Sequence, residues 1–134
     1  MALLVPESLY YSPHHLWVEP QGDGTARIGL TEHAQSQLGD IVYLELPSVG
    51  DHYDRGEVCG TIESVKTTAD LIMPIGGEVV AVNEEVLKRP ELINSDPYGD
   101  GWLFVVKMDD ESDLEELLDA ESYQQLVEAG ISSD

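Results

Sequence analysis

Glu57-Val-Cys-Gly-Thr-Ile-Glu-Ser-Val-Lys-Thr-Thr-Ala-Asp-Leu-Ile-Met73 is the stretch from which the fold is read. Glu57 to Val65 has the composition of one strand and Ala69 to Met73 of a second, which places Lys66 near the turn between them. Pro74-Ile-Gly-Gly77 is turn chemistry, and Glu78 to Val82 is strand-like again. On the other side, Asp40 to Leu46 alternates, with Ile41, Tyr43 and Glu45 on one face and Val42, Leu44 and Leu46 on the other, until Pro47 breaks it. Further out, Leu16 to Glu19 and Thr25 to Leu30 read as strands joined through Gly22-Asp23-Gly24. A last strand is expected over Gly101 to Met108.

Helical signals are fewer. Thr31 is placed to cap a short helix ending near Leu38, with Gly39 just past it. Asn83 to Pro97 is expected to be loop with one helical turn, interrupted by Pro90 and Asn94. Ser112 with Glu115 reads as a capping box, and Leu114, Leu117, Leu118, Tyr123, Leu126 and Val127 recur at helical spacing, in two pieces that meet near Asp119-Ala120. Short strands punctuated by Gly and Pro imply a mostly-β sandwich or barrel with helical attachments. The 134 residues are expected to form a single domain, with its core over about 7–129.

Twenty-seven acids stand against six bases, a net charge of −21. Such a surface repels phosphate backbones and anionic lipid, so neither a nucleic acid nor a membrane is expected as a partner; it favours basic patches on other proteins, and it also serves solubility. One cysteine, Cys59, excludes an internal disulfide and suits a reducing compartment. No secretory or transit signal is evident at the start, so a cytoplasmic location is expected, or a mitochondrial matrix if a transit peptide has been removed.

The usual chemistries find little support. His14, His15, His33 and His52 lack the spacing of a standard metal motif, so no metal site is expected. Cys59 lies in an apolar strand and reads as core, Ser64 has no nucleophile context, and carboxylate pairs are expected by chance in so acidic a chain. Lys66 is one of three lysines, in Glu63-Ser64-Val65-Lys66 at a hairpin tip. A lysine at such a tip is ordinarily a solvated charge, and only its flanking sequence suggests more.

Gly60-Thr-Ile-Glu-Ser-Val-Lys66 followed by Gly77 resembles the lipoyl-lysine motif, in which glycines flank the lysine at these two separations. Over roughly residues 7–129 the chain resembles the H-protein family of the glycine cleavage system. The resemblance rests on Tyr11-Ser-Pro13, His15 with Trp17, Ile28-Gly-Leu-Thr-Glu-His-Ala34, Leu38-Gly-Asp-Ile-Val42, Asp70, Val82-Asn83, Pro90-Glu-Leu-Ile-Asn94 and Gly101-Trp102. It departs at Leu16, where the family commonly has a glutamate thought to help hold the loaded amine; Asp70 is then the remaining acid of that constellation.

This resemblance implies a barrel-sandwich hybrid with short helices and a C-terminal helical segment. It implies lipoate bound covalently to Lys66, with Glu63, Ser64, Val65 and Asp70 recognising the arm or the modifying enzyme. The chain would be a carrier and not an enzyme, a monomer that shuttles an aminomethyl group from a pyridoxal-phosphate glycine decarboxylase to an aminomethyltransferase. Dihydrolipoamide dehydrogenase would reoxidise the arm, and a lipoate ligase or a lipoyl/octanoyl transferase would load it. An alternative is a lipoyl or octanoyl donor in lipoate biosynthesis. A biotin carrier fits less well, since Val65 and Thr67 stand where biotin sites usually carry methionine, and an unmodified acidic adaptor is a further alternative.

Overall fold

In the computed structural model, residues 5–129 are described. They form nine strands and four α-helices: β1 Tyr10–Tyr11, β2 Leu16–Pro20, β3 Thr25–Leu30, α1 Glu32–Leu38, β4 Ile41–Glu45, β5 His52–Tyr53, β6 Val58–Ser64, β7 Thr68–Ile72, β8 Gly77–Val82, α2 Glu84–Lys88, α3 Glu91–Ser95, β9 Phe104–Met108 and α4 Ala120–Glu128. A six-stranded sheet runs in the order β1-β2-β3-β9-β8-β5 and a three-stranded one in the order β4-β6-β7, with every strand pair antiparallel. The expected mostly-β architecture with short helices and a C-terminal helical segment is the one adopted.

The main core lies between the sheets. Leu16, Val18, Ile28, Phe104 and Val106 of the larger sheet join Ile62 and Leu71 of the smaller, with Met73 and Ile75 from the crossover between them. Because successive side chains point to opposite faces, Trp17 between Leu16 and Val18 faces away from this core. It joins a second cluster with Leu9, Tyr11, Ala120 and Tyr123, which seats α4 on the outer face of the larger sheet. Gly29 is the cross-strand partner of Trp17, and a β-carbon there would stand 2.5 Å from the indole, so the ring lies flat over the glycine. Its Nε1–H donates to the carbonyl of Pro97 at 2.9 Å.

The structure corrects the sequence reading at four places. In β4, Ile41 and Leu44 are buried while Val42 and Tyr43 are both exposed. A register shift between Ile41 and Tyr43 against β6 inserts a bulge, which resets the alternation by one residue. The stretch from Asn83 to Pro97 holds two helices, not one turn. The Asn83 side chain caps α2 by accepting from Glu85 N–H at 3.1 Å, and Pro90 opens α3, where a missing N–H has no cost. The last strand begins at Phe104, after Gly101 has turned back beneath α3 with its N–H on the Asp96 carbonyl at 2.9 Å. Ser112 does not cap: Asp110 opens a 3-10 turn over Glu111–Glu116 and accepts both the N–H and the O–H of Ser112.

Candidate functional site

Lys66 sits between β6 and β7, at the tip of the hairpin that the sequence predicts. The turn is held by one side chain. Ser64 is buried, and its Oγ accepts the N–H groups of Lys66 and Thr67, each at 3.1 Å, while it donates to the Thr67 carbonyl at 3.2 Å. The Ser64 N–H also donates to that carbonyl at 2.8 Å, and the Val65 N–H donates to the Asp40 carbonyl at 3.0 Å, which ties the tip to the start of β4. The backbone of Lys66 is therefore pinned and its side chain exposed. The stem runs past Gly39, where a β-carbon would stand 3.1 Å from Cε. Gly39 has φ 81° and closes α1, so one glycine both ends the helix and leaves the lysine its path.

The two motif glycines have a plain physical reading. A β-carbon at Gly60 would fall on the Glu45 carbonyl oxygen of β4, and one at Gly77 would stand 2.5 Å from the Lys107 carbonyl oxygen of β9. Both positions bring two backbones closer than any side chain allows. Gly60 sets the spacing of β6 against β4, and Gly77 that of β8 against β9 in the other sheet; neither stands at the hairpin tip.

Beside the tip opens a cleft of about 410 Å³. One side comes from the larger sheet and α1, through His14, His15, Leu16, Leu30, His33 and Leu38; the other comes from the hairpin, through Ile62, Thr67, Asp70 and Leu71. Its depth is apolar, and Asp70 is the one carboxylate among its lining residues. Leu16 is buried in this wall and contributes only hydrocarbon to it.

His15 is fixed with care. It has φ 70°, a region that costs a non-glycine residue energy and persists only where its surroundings hold it. Its N–H donates to the Ser12 carbonyl at 3.0 Å and its carbonyl accepts from Thr31 N–H at 3.2 Å. Its Nδ1 lies 2.7 Å from the Tyr123 hydroxyl, which in turn lies 2.8 Å from the Thr31 hydroxyl. Thr31 also caps α1 by accepting from Ala34 N–H at 3.1 Å. Burial, then the neighbouring His33 and His14, pushes the His15 imidazole down to about 4. Burial lowers His33 as well, and the two rings are 4.9 Å apart. Both imidazoles are thus neutral at pH 7, which leaves Asp70 as the one acidic side chain of the cleft.

The residues singled out from sequence separate into three settings. Glu63 is exposed on the outer face of the hairpin, opposite Tyr43 and Thr68, and Val65 is exposed at the tip. Ser64 faces into the turn, and Asp70 faces the cleft. Cys59 is buried, donates to the Leu71 carbonyl and has its thiol pushed up to about 12 by burial, so it is inert core. Sequence reasoning missed the His15–Tyr123–Thr31 chain and the His33 wall, because their members lie far apart along the chain and match no motif.

Comparison with known proteins bears on this geometry. Residues 9–130 match the family model described as Glycine cleavage H-protein. The glycine cleavage system H protein of Alkalilimnicola ehrlichii is 52% identical over 123 residues, covering 92% of this chain and 95% of that protein. The protein of the same name from Pseudoalteromonas translucida is 53% identical, covering 92% and 96%. The crystal structure of a glycine cleavage system H protein from Mycobacterium marinum superposes with a TM-score of 0.85 at 39% identity, covering 92% of this chain and 99% of that one.

Proposed function

The chain belongs to the glycine cleavage H-protein family, and from that membership we propose that it is the lipoyl carrier of a glycine cleavage system, with lipoate joined in amide linkage to Lys66. The observation that carries the reading is the exposed lysine on a pinned hairpin turn, with an apolar cleft opening beside it. An amide-linked arm on Lys66 reaches on the order of 10–15 Å by ordinary bond lengths, far enough to serve a partner's active site or to fold back. When bound, the lipoyl group supplies a disulfide and dithiol that accept and release a one-carbon amine and two electrons.

The chain's own residues hold and shield that arm. Gly39 leaves the stem its path, and Leu16, Leu30, Ile62 and Leu71 offer apolar surface to the methylenes, at about 0.8 kcal/mol for each one buried. Asp70 supplies the single negative charge that a cationic cargo would meet. Glu63 and Val65 are outward and accessible, where a modifying enzyme would read them, while Ser64 sets the turn that presents the lysine. The chain is thus a substrate shared by other enzymes and not a catalyst: a pyridoxal-phosphate glycine decarboxylase, an aminomethyltransferase, dihydrolipoamide dehydrogenase and a loading ligase or transferase. It works as one domain and a monomer in the compartment that holds those enzymes. Among the described residues no helix is long and apolar enough to cross a membrane.

One observation favours a second role, as a lipoyl or octanoyl donor. With Leu16 in its wall and two neutral imidazoles beside it, the cleft suits an uncharged acyl arm as well as a charged one. The test is intact mass and peptide mapping after co-expression with a lipoate ligase. The expected result is one lipoyl amide on Lys66, absent in Lys66→Arg, with glycine–bicarbonate exchange lost in that variant. A modified Lys66→Arg protein, or one that still supports exchange, sinks the proposal. Transfer of the acyl group to a second lipoyl domain measures the donor role separately.

A further inference from the structure

Away from the cleft, the β5 edge of the larger sheet gathers a different set of side chains. In register across three strands, His52 pairs with Glu78 and Glu78 with Lys107, then Tyr53 pairs with Gly77 and Gly77 with Met108. One step beyond the ladder Asp54 follows Tyr53, Gly76 precedes Gly77 and Asp109 follows Met108, with the Asp109 N–H donating to the Gly76 carbonyl at 3.0 Å. The middle position carries no side chain, and a β-carbon there would stand 3.2 Å from Asp109 Oδ2. Gly76 thus leaves a gap into which the carboxylates of Asp109 and, at 3.7 Å, Asp113 lean. His52 and Asp54 are two apart on an extended segment, so they share a face. The imidazole nitrogen of His52 and one oxygen each from Asp54 and Asp109 all lie within 4.8 Å of one another. His52 Nε2 is 2.6 Å from Asp109 Oδ2.

We propose that His52, Asp54 and Asp109 form a binding site for one divalent first-row transition cation of the zinc class. Three donors around such an ion, with bonds of about 2.0–2.2 Å, stand about 3–3.5 Å apart, so side-chain rotation within the observed cluster suffices. The ion takes the place of the proton shared by His52 and Asp109. An imidazole among the donors favours zinc-like ions over calcium and magnesium, which prefer oxygen alone. Carboxylates outnumber cations around the gap: Asp113 adds a third, its Oδ2 accepting from the Gly76 N–H at 3.2 Å, while Lys107 stands in the row of His52 and Glu78 and the nearby Arg55 faces Glu116 at 3.9 Å. A net charge of −21 raises the local concentration of any divalent cation. All three donors are exposed, so the ion has a free path and water fills the remaining positions. Bound there, it would staple β5 to the segment that follows β9. Nothing in this depends on the loading of Lys66, which lies at the other end of the β6–β7 hairpin.

The experiment is calorimetric titration of the chelator-treated full chain with zinc chloride, repeated with calcium chloride and on His52→Asn, Asp109→Asn and His33→Asn. The expected result is one saturable equivalent of zinc, a raised thermal midpoint, and a loss of about tenfold or more in affinity in the first two variants. His33→Asn, which alters the other imidazole cluster, should bind as the parent does. Zinc binding unchanged by His52→Asn, binding lost only in His33→Asn, or calcium bound as tightly as zinc would each overturn the site.

Discussion

Gly60→Ala puts the β-hairpin reading under the sharpest load. The added methyl would coincide with the Glu45 carbonyl oxygen, so β4 must retreat by about 1 Å before ordinary contact distances return. Over-packing a close-packed interior costs about 1–3 kcal/mol. Parting the ladder where Glu45 faces Thr61 forfeits backbone hydrogen bonds at about 1 kcal/mol each. Together this is roughly 3–5 kcal/mol, a large share of the 5–15 kcal/mol that holds a typical domain together. Urea unfolding followed by tryptophan fluorescence is the assay, because Trp17 and Trp102 lie in the cluster under α4, away from the substitution, and report global unfolding. A second measurement separates architecture from recognition: lipoylation of Lys66 by a ligase, at a temperature where the variant is still folded. The expected pair of results is a strongly lowered midpoint with modification retained. A variant with the parent's midpoint that is no longer modified would refute the reasoning, since the glycine would then be something the ligase reads.

Further outcomes follow from the same contacts. Tyr123→Phe keeps the stacking on Tyr11 but deprives His15 and Thr31 of their shared partner, and should cost about 1–3 kcal/mol by denaturant titration; a neutral effect would mean the chain of hydroxyls is incidental. Gly29→Ala should drive the Trp17 ring off its seat and lower the thermal midpoint, with a change in near-UV circular dichroism showing that the indole moved. His15 makes stability depend on pH. Its folded value of about 4 lies below an unfolded value of about 6.5, so the unfolded chain holds more protons between the two, and stability falls as pH drops through that window and is flat above it. The shift sets a ceiling of about 3 kcal/mol, which exposure of the ring at the cleft reduces to on the order of 1–2 kcal/mol. Comparing unfolding midpoints at pH 7 and pH 4.5 in the parent and in His15→Gln isolates this contribution from the many carboxylates, and equal slopes would dismiss it.

What could be read from the sequence was whatever depends on neighbours along the chain. The β6–β7 hairpin, the Thr31 cap and the Gly39 stop are local, and each stands where the residues put it. Pro90 misled because proline ends a helix in its interior but opens one at its first turn, and the two contexts look alike without the fold. The β4 bulge was hidden because alternation was assumed to run without an inserted residue. The cleft was beyond reach for another reason. Its walls come from His14 to Leu38 and from Ile62 to Leu71, two segments that meet only because the sheets pack face to face. The lysine is marked by its own flanks, and its surroundings are marked by nothing local.

The serine-clamped turn has a kinetic meaning. With the backbone of Lys66 fixed, freedom begins at the side chain, and an arm carried there sweeps a hemisphere about 14 Å in radius. One head group in that volume amounts to an effective concentration of about 0.3 M. A cleft whose intrinsic dissociation constant is about 30 mM would then be filled about nine-tenths of the time. Feeble contacts suffice for occupancy, and feeble contacts let go quickly. A tether with a stiff root can therefore shelter its cargo between visits without slowing the next delivery.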